Sequence, residues 1–248
     1  MRKLSIIGIG AGNPDYLTVQ AIRALGEMDV VFLIDKGDEK HDLVRLRKEI
    51  CGRYAEKSHR FVEAKDPPRD RTPDCYQTAV GEWHAQRAAI YETMIREELP
   101  EGQHGAFLVW GDPSLYDSTL QIVNKIAAMN TVAFELDVIP GITSVQALAA
   151  RHKIALNRIG EPIHITTGRQ LAAGMSGDNV VVMLDGDCAF KNIKDPEVDI
   201  YWGAYIGTGD EILVSGKLRD CGREIETIRN EARRRHGWIM DIYLLRKN

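Results

Sequence analysis

The opening of the chain limits its architecture more than any other feature. Residues 4–10, LSIIGIG, form a short apolar run that ends in glycines and reads as a buried strand entering a tight turn. From Leu17 the apolar residues Leu17, Ala21, Ala24, Leu25 and Met28 recur on one helical face, with Pro14 and Asp15 near its start. Residues 29–34, DVVFLI, then make a second apolar run of strand length. Strand, glycine loop, helix and strand in succession form a βαβ unit, and such a unit requires a parallel sheet.

The rest of the first half repeats the alternation with one interruption. Residues 36–76 are charged and rich in Arg, Lys, Asp and Pro, with HDLVRLRKEICGRY read as a helix and KDPPRDRTPD as a loop. Residues 82–99 predict a helix stopped by Pro100 and Gly102, and AFLVW at 106–110 predicts a strand running into GDP. Residues 118–129 predict a further helix, and FELDVIP at 134–140 a strand that turns through Gly141 into PGITSVQALAA. Beyond Pro140, strands are predicted at 162–167, 179–185, 199–207, 212–218 and 238–245. Short glycine turns join several of them, so this half should be mixed or antiparallel. The pattern divides the chain into an N-terminal α/β domain with glycine loops, 1–139, and a C-terminal α/β domain, 140–248.

Charge and cysteine usage narrow the partners. Lys and Arg number 32 against 36 Asp and Glu, a net charge of −4 that gives no global attraction to nucleic acid or to an anionic membrane. Cys51, Cys75, Cys188 and Cys221 form no CxxC pair, so neither a metal site nor a secreted disulfide framework is signalled, and a reducing cytoplasm is the expectation. No apolar stretch approaches the length of a membrane span.

Function is expected in the glycine loops. GIGAGNP places Gly8, Gly10 and Gly12 after a strand, where backbone N–H groups can approach a ligand. A dinucleotide fingerprint would need a third glycine where Asn13 stands, although Asp35 lies where a ribose-binding acid belongs, so an NAD-dependent oxidoreductase remains an alternative. GDPSLY at 111–116 follows a strand, and Asp112 there either accepts from a ligand or forms an Asx turn. PGITS at 140–144 offers Thr143 and Ser144 as ligand contacts or as helix caps.

Taken in order, GIGAGNPDYLT, GDPSLY, VIPGITSVQALAA and YWGAYIGTGDEILVSGKL resemble the tetrapyrrole methylase family across nearly the whole chain. The resemblance implies a two-domain α/β class III methyltransferase, a homodimer that holds S-adenosyl-L-methionine in the cleft between its domains and yields S-adenosyl-L-homocysteine. By position it implies cofactor contacts from Pro14, Trp110, Gly111, Asp112, Leu115, Thr143, Ser144 and Ala204. It also implies a contact from Met183 or Leu184, where this chain reads MLDGD and the family often has Met-Gly. HDLVRLRKEICGRY, GEWHAQRAAIYE and GWIMDIYLLRK are most similar to the branch that methylates precorrin-5 at C-1 with loss of acetate. A same-fold methylase acting on another tetrapyrrole or on RNA is a further alternative, disfavoured for RNA by the acidic charge balance.

Methyl transfer to an electron-rich carbon needs alignment above all. Loss of an acetyl group needs more: water must attack its carbonyl while a donor steadies the oxyanion and a base takes a proton. The candidates are Tyr116, Asp185 and His84, with Asp117 and Asp187 beside them. A polycarboxylate tetrapyrrole would be held by arginine forks, drawn from Arg45, Arg47, Arg53, Arg69, Arg71, Arg151, Arg158 and Arg169. The run RNEARRRH at 229–236 reads as a helix end complementing its own dipole.

Overall fold

Strand β1 (Arg2–Gly8) sits between two parallel neighbours, β4 (His104–Val109) and β5 (Phe134–Ile139), which explains why its residues are apolar without alternation. The computed structural model describes residues 1–35, 41–68 and 76–247. These form two compact units: Met1–Gly10 with Pro14–Ile142, and Ala11–Asn13 with Thr143–Asn248. The division therefore falls after Ile142, and the tip of the first glycine loop belongs to the second unit.

In the first unit the order of elements is β1, α1 (Val19–Glu27), β2 (Val30–Asp35), α2 (His41–Tyr54), β3 (Arg60–Lys65), α3 (Tyr76–Glu98), β4, α4 (Thr119–Met129) and β5. The sheet runs β3-β2-β4-β1-β5, and every pairing in it is parallel. Successive side chains alternate between its faces. Leu4, Ile6, Phe32, Phe107 and Val109 meet Tyr91 and Ile95 of α3 and Ile122 and Ile126 of α4. Ile7, Val31, Leu33, Ala106 and Leu108 meet Leu25 of α1 and Ile50 and Cys51 of α2.

The strand order has a functional consequence. The chain leaves β1 toward β2 on one side and leaves β4 toward β5 on the other, so the direction of winding reverses between β1 and β4. Open parallel sheets bind ligands outside the carboxyl ends of their strands at such a switch point. Here the GIGAG and GDPSLY loops emerge.

Local readings needed three corrections. Pro14–Tyr16 form a separate 3-10 turn, and α1 begins only at Val19, where the Thr18 side chain accepts from the Ala21 N–H at 3.0 Å. β3 was not foreseen; it is a half-exposed edge strand, and its Arg, Glu and Lys hide the apolar alternation. The loop expected over KDPPRDRTPD lies partly outside the described residues, and α3 already starts at Tyr76.

The second unit contains α5 (Ser144–His152), β6 (His164–Thr167), α6 (Gly168–Leu171), β7 (Asn179–Met183), β8 (Asp199–Ala204), β9 (Ile212–Lys217), α7 (Leu218–His236) and β10 (Asp241–Arg246). Its sheet, β6-β7-β10-β8-β9, is mixed: β6 and β7 are parallel and the remaining pairs antiparallel. Helix α7 buries Leu218, Cys221, Ile225, Arg229 and Ala232 along one face, against a core that includes Phe190, Trp202 and Tyr243. Its last turn carries Arg233, Arg234, Arg235 and His236, in keeping with the dipole reading.

Gly8, which ends β1, has no room for a side chain: a Cβ there would lie 2.6 Å from the Gly141 nitrogen and 2.8 Å from the Gly111 oxygen. Gly52 on α2 has nothing within 4 Å of the same position. Gly8→Ala is expected to cost roughly 1–3 kcal/mol of stability or more through overpacking against backbone, and Gly52→Ala to gain up to about 1 kcal/mol from helix propensity. Urea denaturation of both variants checks the contrast.

Candidate functional site

The carboxyl ends of β1, β4 and β5 are held together by backbone contacts. Ile9 N–H donates to the Val109 carbonyl at 2.9 Å, and Gly10 and Gly111 exchange two bonds of 2.8 and 3.3 Å. Both glycines have positive φ, 78° and 70°, a conformation in which a Cβ would be strained. Asp112 then joins the third loop. Its Oδ1 accepts from the Ser114 N–H and its Oδ2 from the Gly141 N–H, each at 2.8 Å, with the Ser114 hydroxyl also donating to Oδ1 at 2.5 Å. Burial pushes the Asp112 carboxyl up, but the hydrogen bonds from Ser114 and Gly141 outweigh it and hold its pKa below the ordinary value.

These contacts include the Asx turn that the sequence offered as one reading of Asp112. Its oxygens are used in tying GDPSLY to PGITS, so it shapes the loops. Thr143 caps α5, accepting from the Val145 N–H at 3.1 Å, and Gln146 Oε1 accepts from the Thr143 N–H at 3.1 Å. This capping box is the helix-cap alternative that the sequence offered for Thr143. Ser144, the next residue, is half-buried at the first position of α5.

Other site residues in the first unit remain accessible or unsatisfied. Tyr116, at the end of GDPSLY, is 46 % exposed with φ at 53°, and burial of its remainder pushes its hydroxyl pKa up. A bulky residue held in the left-handed region marks a backbone over-determined by its surroundings. The Trp110 indole Nε1 is buried and has no hydrogen-bond partner. Leu115 is half-buried, with its N–H donating to the Asp112 carbonyl at 3.3 Å. Pro14 lies in the 3-10 turn, and its carbonyl accepts from the Tyr54 hydroxyl at 3.3 Å. His84 lies half-buried on α3 with its ring 5.4 Å from that of Trp83.

In the second unit, Met183 closes β7 half-buried, and Leu184 follows with φ at 53° and 67 % exposure. An apolar side chain left in water on a strained backbone has no purpose in packing. Asp185, a catalytic candidate by sequence, is held by several donors. It is 6 % exposed, its Oδ1 accepts from the Asp187 N–H, and its Oδ2 accepts from the Ala189 N–H at 2.7 Å and the Tyr243 hydroxyl at 2.6 Å. Arg229 donates to the Asp185 carbonyl at 2.6 Å and forms a buried pair with Asp241 at 2.8 Å. Ala204 is wholly enclosed in the core. Its neighbour Tyr205, with φ at 49°, carries the strain at that strand end.

Gly8 and Gly141 are legible in the sequence as loop glycines, whereas Asp241, Tyr243 and the buried role of Arg229 are not. The two glycines announce themselves by standing at strand ends, whereas the Arg229–Asp241–Tyr243 set joins residues whose relation exists only in the fold. Of the arginines proposed for carboxylates, Arg53 pairs with Asp15 and Arg151 with Glu211, while Arg69 and Arg71 lie outside the described residues. Among the described residues no His, Cys, Asp and Glu group could hold a metal ion, and no helix is long and apolar enough to cross a membrane.

A parallel sheet with glycine loops tied at its switch point, followed by a mixed-sheet unit, defines an α/β ligand-binding class, and comparison with known proteins gives it a family. The profile of the Tetrapyrrole (Corrin/Porphyrin) Methylases matches residues 3–222, and the chain belongs to that family. It is 53% identical over 250 residues to the precorrin-6A synthase [deacetylating] of Sinorhizobium sp, covering 100% of this chain and 96% of the relative. The crystal structure of a cobalamin synthesis related protein (CobF) from Corynebacterium diphtheriae matches with a TM-score of 0.86 at 41% identity, covering 99% of this chain and 98% of that one. The uroporphyrin-III C-methyl transferase of Thermus thermophilus, solved with S-adenyl homocysteine, shares the fold at a TM-score of 0.63 and 17% identity, covering 99% and 97%. Tetrapyrrole methylases use S-adenosylmethionine, which sets aside the NAD-dependent reading.

Asp112→Ala is expected to lower stability at pH 7 by about 1–3 kcal/mol, the range for hydrogen bonds to a charged group. Because the folded pKa is depressed, the contribution is full above the unfolded value of 3.8 and is lost as pH falls through the folded value. Urea titrations of both proteins should diverge at neutral pH and converge below that value.

Proposed function

We propose that this protein is an S-adenosylmethionine-dependent C-methyltransferase of corrin-ring synthesis that methylates precorrin-5 at C-1 and releases acetate, giving precorrin-6A. The observation that carries the reading is 53% identity over the whole chain to a relative of that activity. The substrate is a tetrapyrrole polycarboxylate.

S-Adenosylmethionine supplies, when bound, a methyl group on a positively charged sulfur. The residues present fit it: the orphaned Trp110 N–H is a donor awaiting an acceptor, and the exposed Leu184 and Tyr116 offer apolar surface for a nucleoside. Pro14, Gly111, Leu115 and Ser144 are the further cofactor contacts, with Leu184 rather than Met183 making the contact after β7. Leu184 is the exposed one of the two, and its backbone is fixed by the Asp185 network.

The overall change balances without an oxidant. The ring carbon provides the electron pair for the new C–CH3 bond, and the sulfur keeps the pair of the bond it loses. Water adds its oxygen to the acetyl carbonyl, the acetyl–ring bond breaks with its pair returning to the ring, and acetate and two protons leave. Contact with the macrocycle is assigned to Tyr116, whose side chain is exposed at the end of GDPSLY. Its raised pKa keeps the hydroxyl protonated at neutral pH, so it donates to developing oxyanion charge. His84 remains the second candidate, as the base for water.

A homodimer in the cytoplasm completes the reading, and the described cysteines Cys51, Cys188 and Cys221, buried as free thiols, suit a reducing compartment. Incubation with methyl-labelled S-adenosylmethionine and precorrin-5 should yield one acetate per methyl transferred; methylation without acetate would overturn the deacetylating assignment. Leu184→Gly should match or exceed the native stability, since glycine relieves about 1–2 kcal/mol of left-handed strain. It should also weaken S-adenosylhomocysteine binding several-fold by calorimetry, and unchanged affinity would remove Leu184 from the site.

A further inference from the structure

Behind the GDPSLY loop, and wholly within the first unit, is a cavity of ≈ 50 Å³ that the methyl-transfer site does not account for. It is walled by α2, β2, α3 and β4 and by residues just after the loop, and its apolar lining includes Phe32 and Phe107. Its polar lining is Arg47, Arg87, Tyr91, Asp117 and Thr119. Five polar side chains around so small a space are more than packing requires.

Arg47 is the unusual member. Its Nε donates to the Leu108 carbonyl and its Nη1 to the Leu43 carbonyl, both at 2.8 Å, so its acceptors are neutral backbone groups. Among the described residues no carboxylate lies within ion-pair distance of it. The residue as a whole keeps some exposure, but its guanidinium lies deep. Burial pulls its pKa below the ordinary arginine value, with the Asp117 charge opposing that fall. Arg87 differs: it pairs with Asp66 at 2.7 Å, donates to the Ser118 hydroxyl at 2.9 Å and lies 4.4 Å from the Trp83 ring centre. Tyr91 is stacked on Phe107 with centres 4.5 Å apart, and burial pushes its hydroxyl up to about 12. It therefore stays a donor across the working pH range.

We propose that this cavity is a carboxylate site sized for a two-carbon acid, with Arg47 as its cation and Tyr91 and Thr119 as hydroxyl partners. One water requires roughly 10–15 Å³ on this measure, so the space suits about four non-hydrogen atoms, the number in acetate. An entering carboxylate meets a guanidinium whose charge has no counter-ion in contact, where charge-assisted bonds are strongest. Asp117, whose carboxylate accepts from the Thr119 N–H at 2.6 Å, opposes the anion and keeps its residence short. That suits a group that must leave. The inference rests on the reading that the reaction loses acetate; the group held is either that product or an acetate side chain of the macrocycle.

Titration of the full-length protein with ¹³C-acetate, followed by NMR, tests it. Saturable binding in the millimolar range is expected, with butyrate failing to compete because it exceeds the cavity. Arg47→Met should weaken acetate at least tenfold, and Asp117→Asn, which keeps the bond to Thr119 and should fold normally, should tighten it several-fold. Uroporphyrin, a stable tetrapyrrole with acetate side chains, separates the sources. Displacement of acetate by it assigns the site to a side chain, and binding unaffected by it assigns the site to the free acid. Absence of saturable binding, equal binding in Arg47→Met, or weaker binding in Asp117→Asn overturns the proposal. Methyl transfer to precorrin-5 on the same preparation judges the activity separately.

Discussion

One carboxylate organises the ligand-binding end of the parallel sheet. Asp112 accepts from the Ser114 N–H in its own loop and from the Gly141 N–H in the next, 29 residues further along the chain. The glycines make that possible. Gly8, Gly111 and Gly141 approach so closely that a methyl group on either Gly8 or Gly141 would strike backbone, and Gly10 bridges to Gly111 across the switch point. Three loops from three strands thereby become one rigid surface, and a rigid surface is what an in-line methyl transfer needs.

The second unit reaches a similar end by other means. There a buried ion pair and a phenol, Arg229–Asp241 and Tyr243, hold Asp185, and Asp185 gathers the N–H groups of the turn that follows Leu184. A charge pair at 4 % and 6 % exposure is seldom a source of net stability, because desolvation consumes most of its attraction. Its value here is geometric: it holds Leu184 in a backbone conformation that leucine would not choose. Left-handed, non-glycine residues at Tyr116, Leu184 and Tyr205 coincide with the loops the family resemblance assigns to the site.

Much of this was readable in the sequence, for a reason that particular residues show. LSIIGIG and DVVFLI are apolar on both faces because their strands are covered on both sides, and the helix HDLVRLRKEICGRY runs over His41–Tyr54 as expected. β3 was hidden because an edge strand needs little apolar surface, and most of α7 was missed because its polar face dominates its composition. Side-chain roles were less legible than loop positions. Asp112, Thr143 and Asp185 were read as ligand or proton groups, and all three accept from backbone N–H donors, Gly141 for Asp112, Val145 for Thr143 and Ala189 for Asp185. Only the fold shows who occupies a carboxylate's lone pairs.

The cofactor reading depends on the tied loops receiving the ligand, and amide hydrogen exchange with and without S-adenosylhomocysteine tests that most directly. Binding should protect amides in residues 8–16, 110–117 and 183–188, the glycine loops and the segment anchored by Asp185. Protection confined to other segments, with these loops exchanging as before, would contradict it.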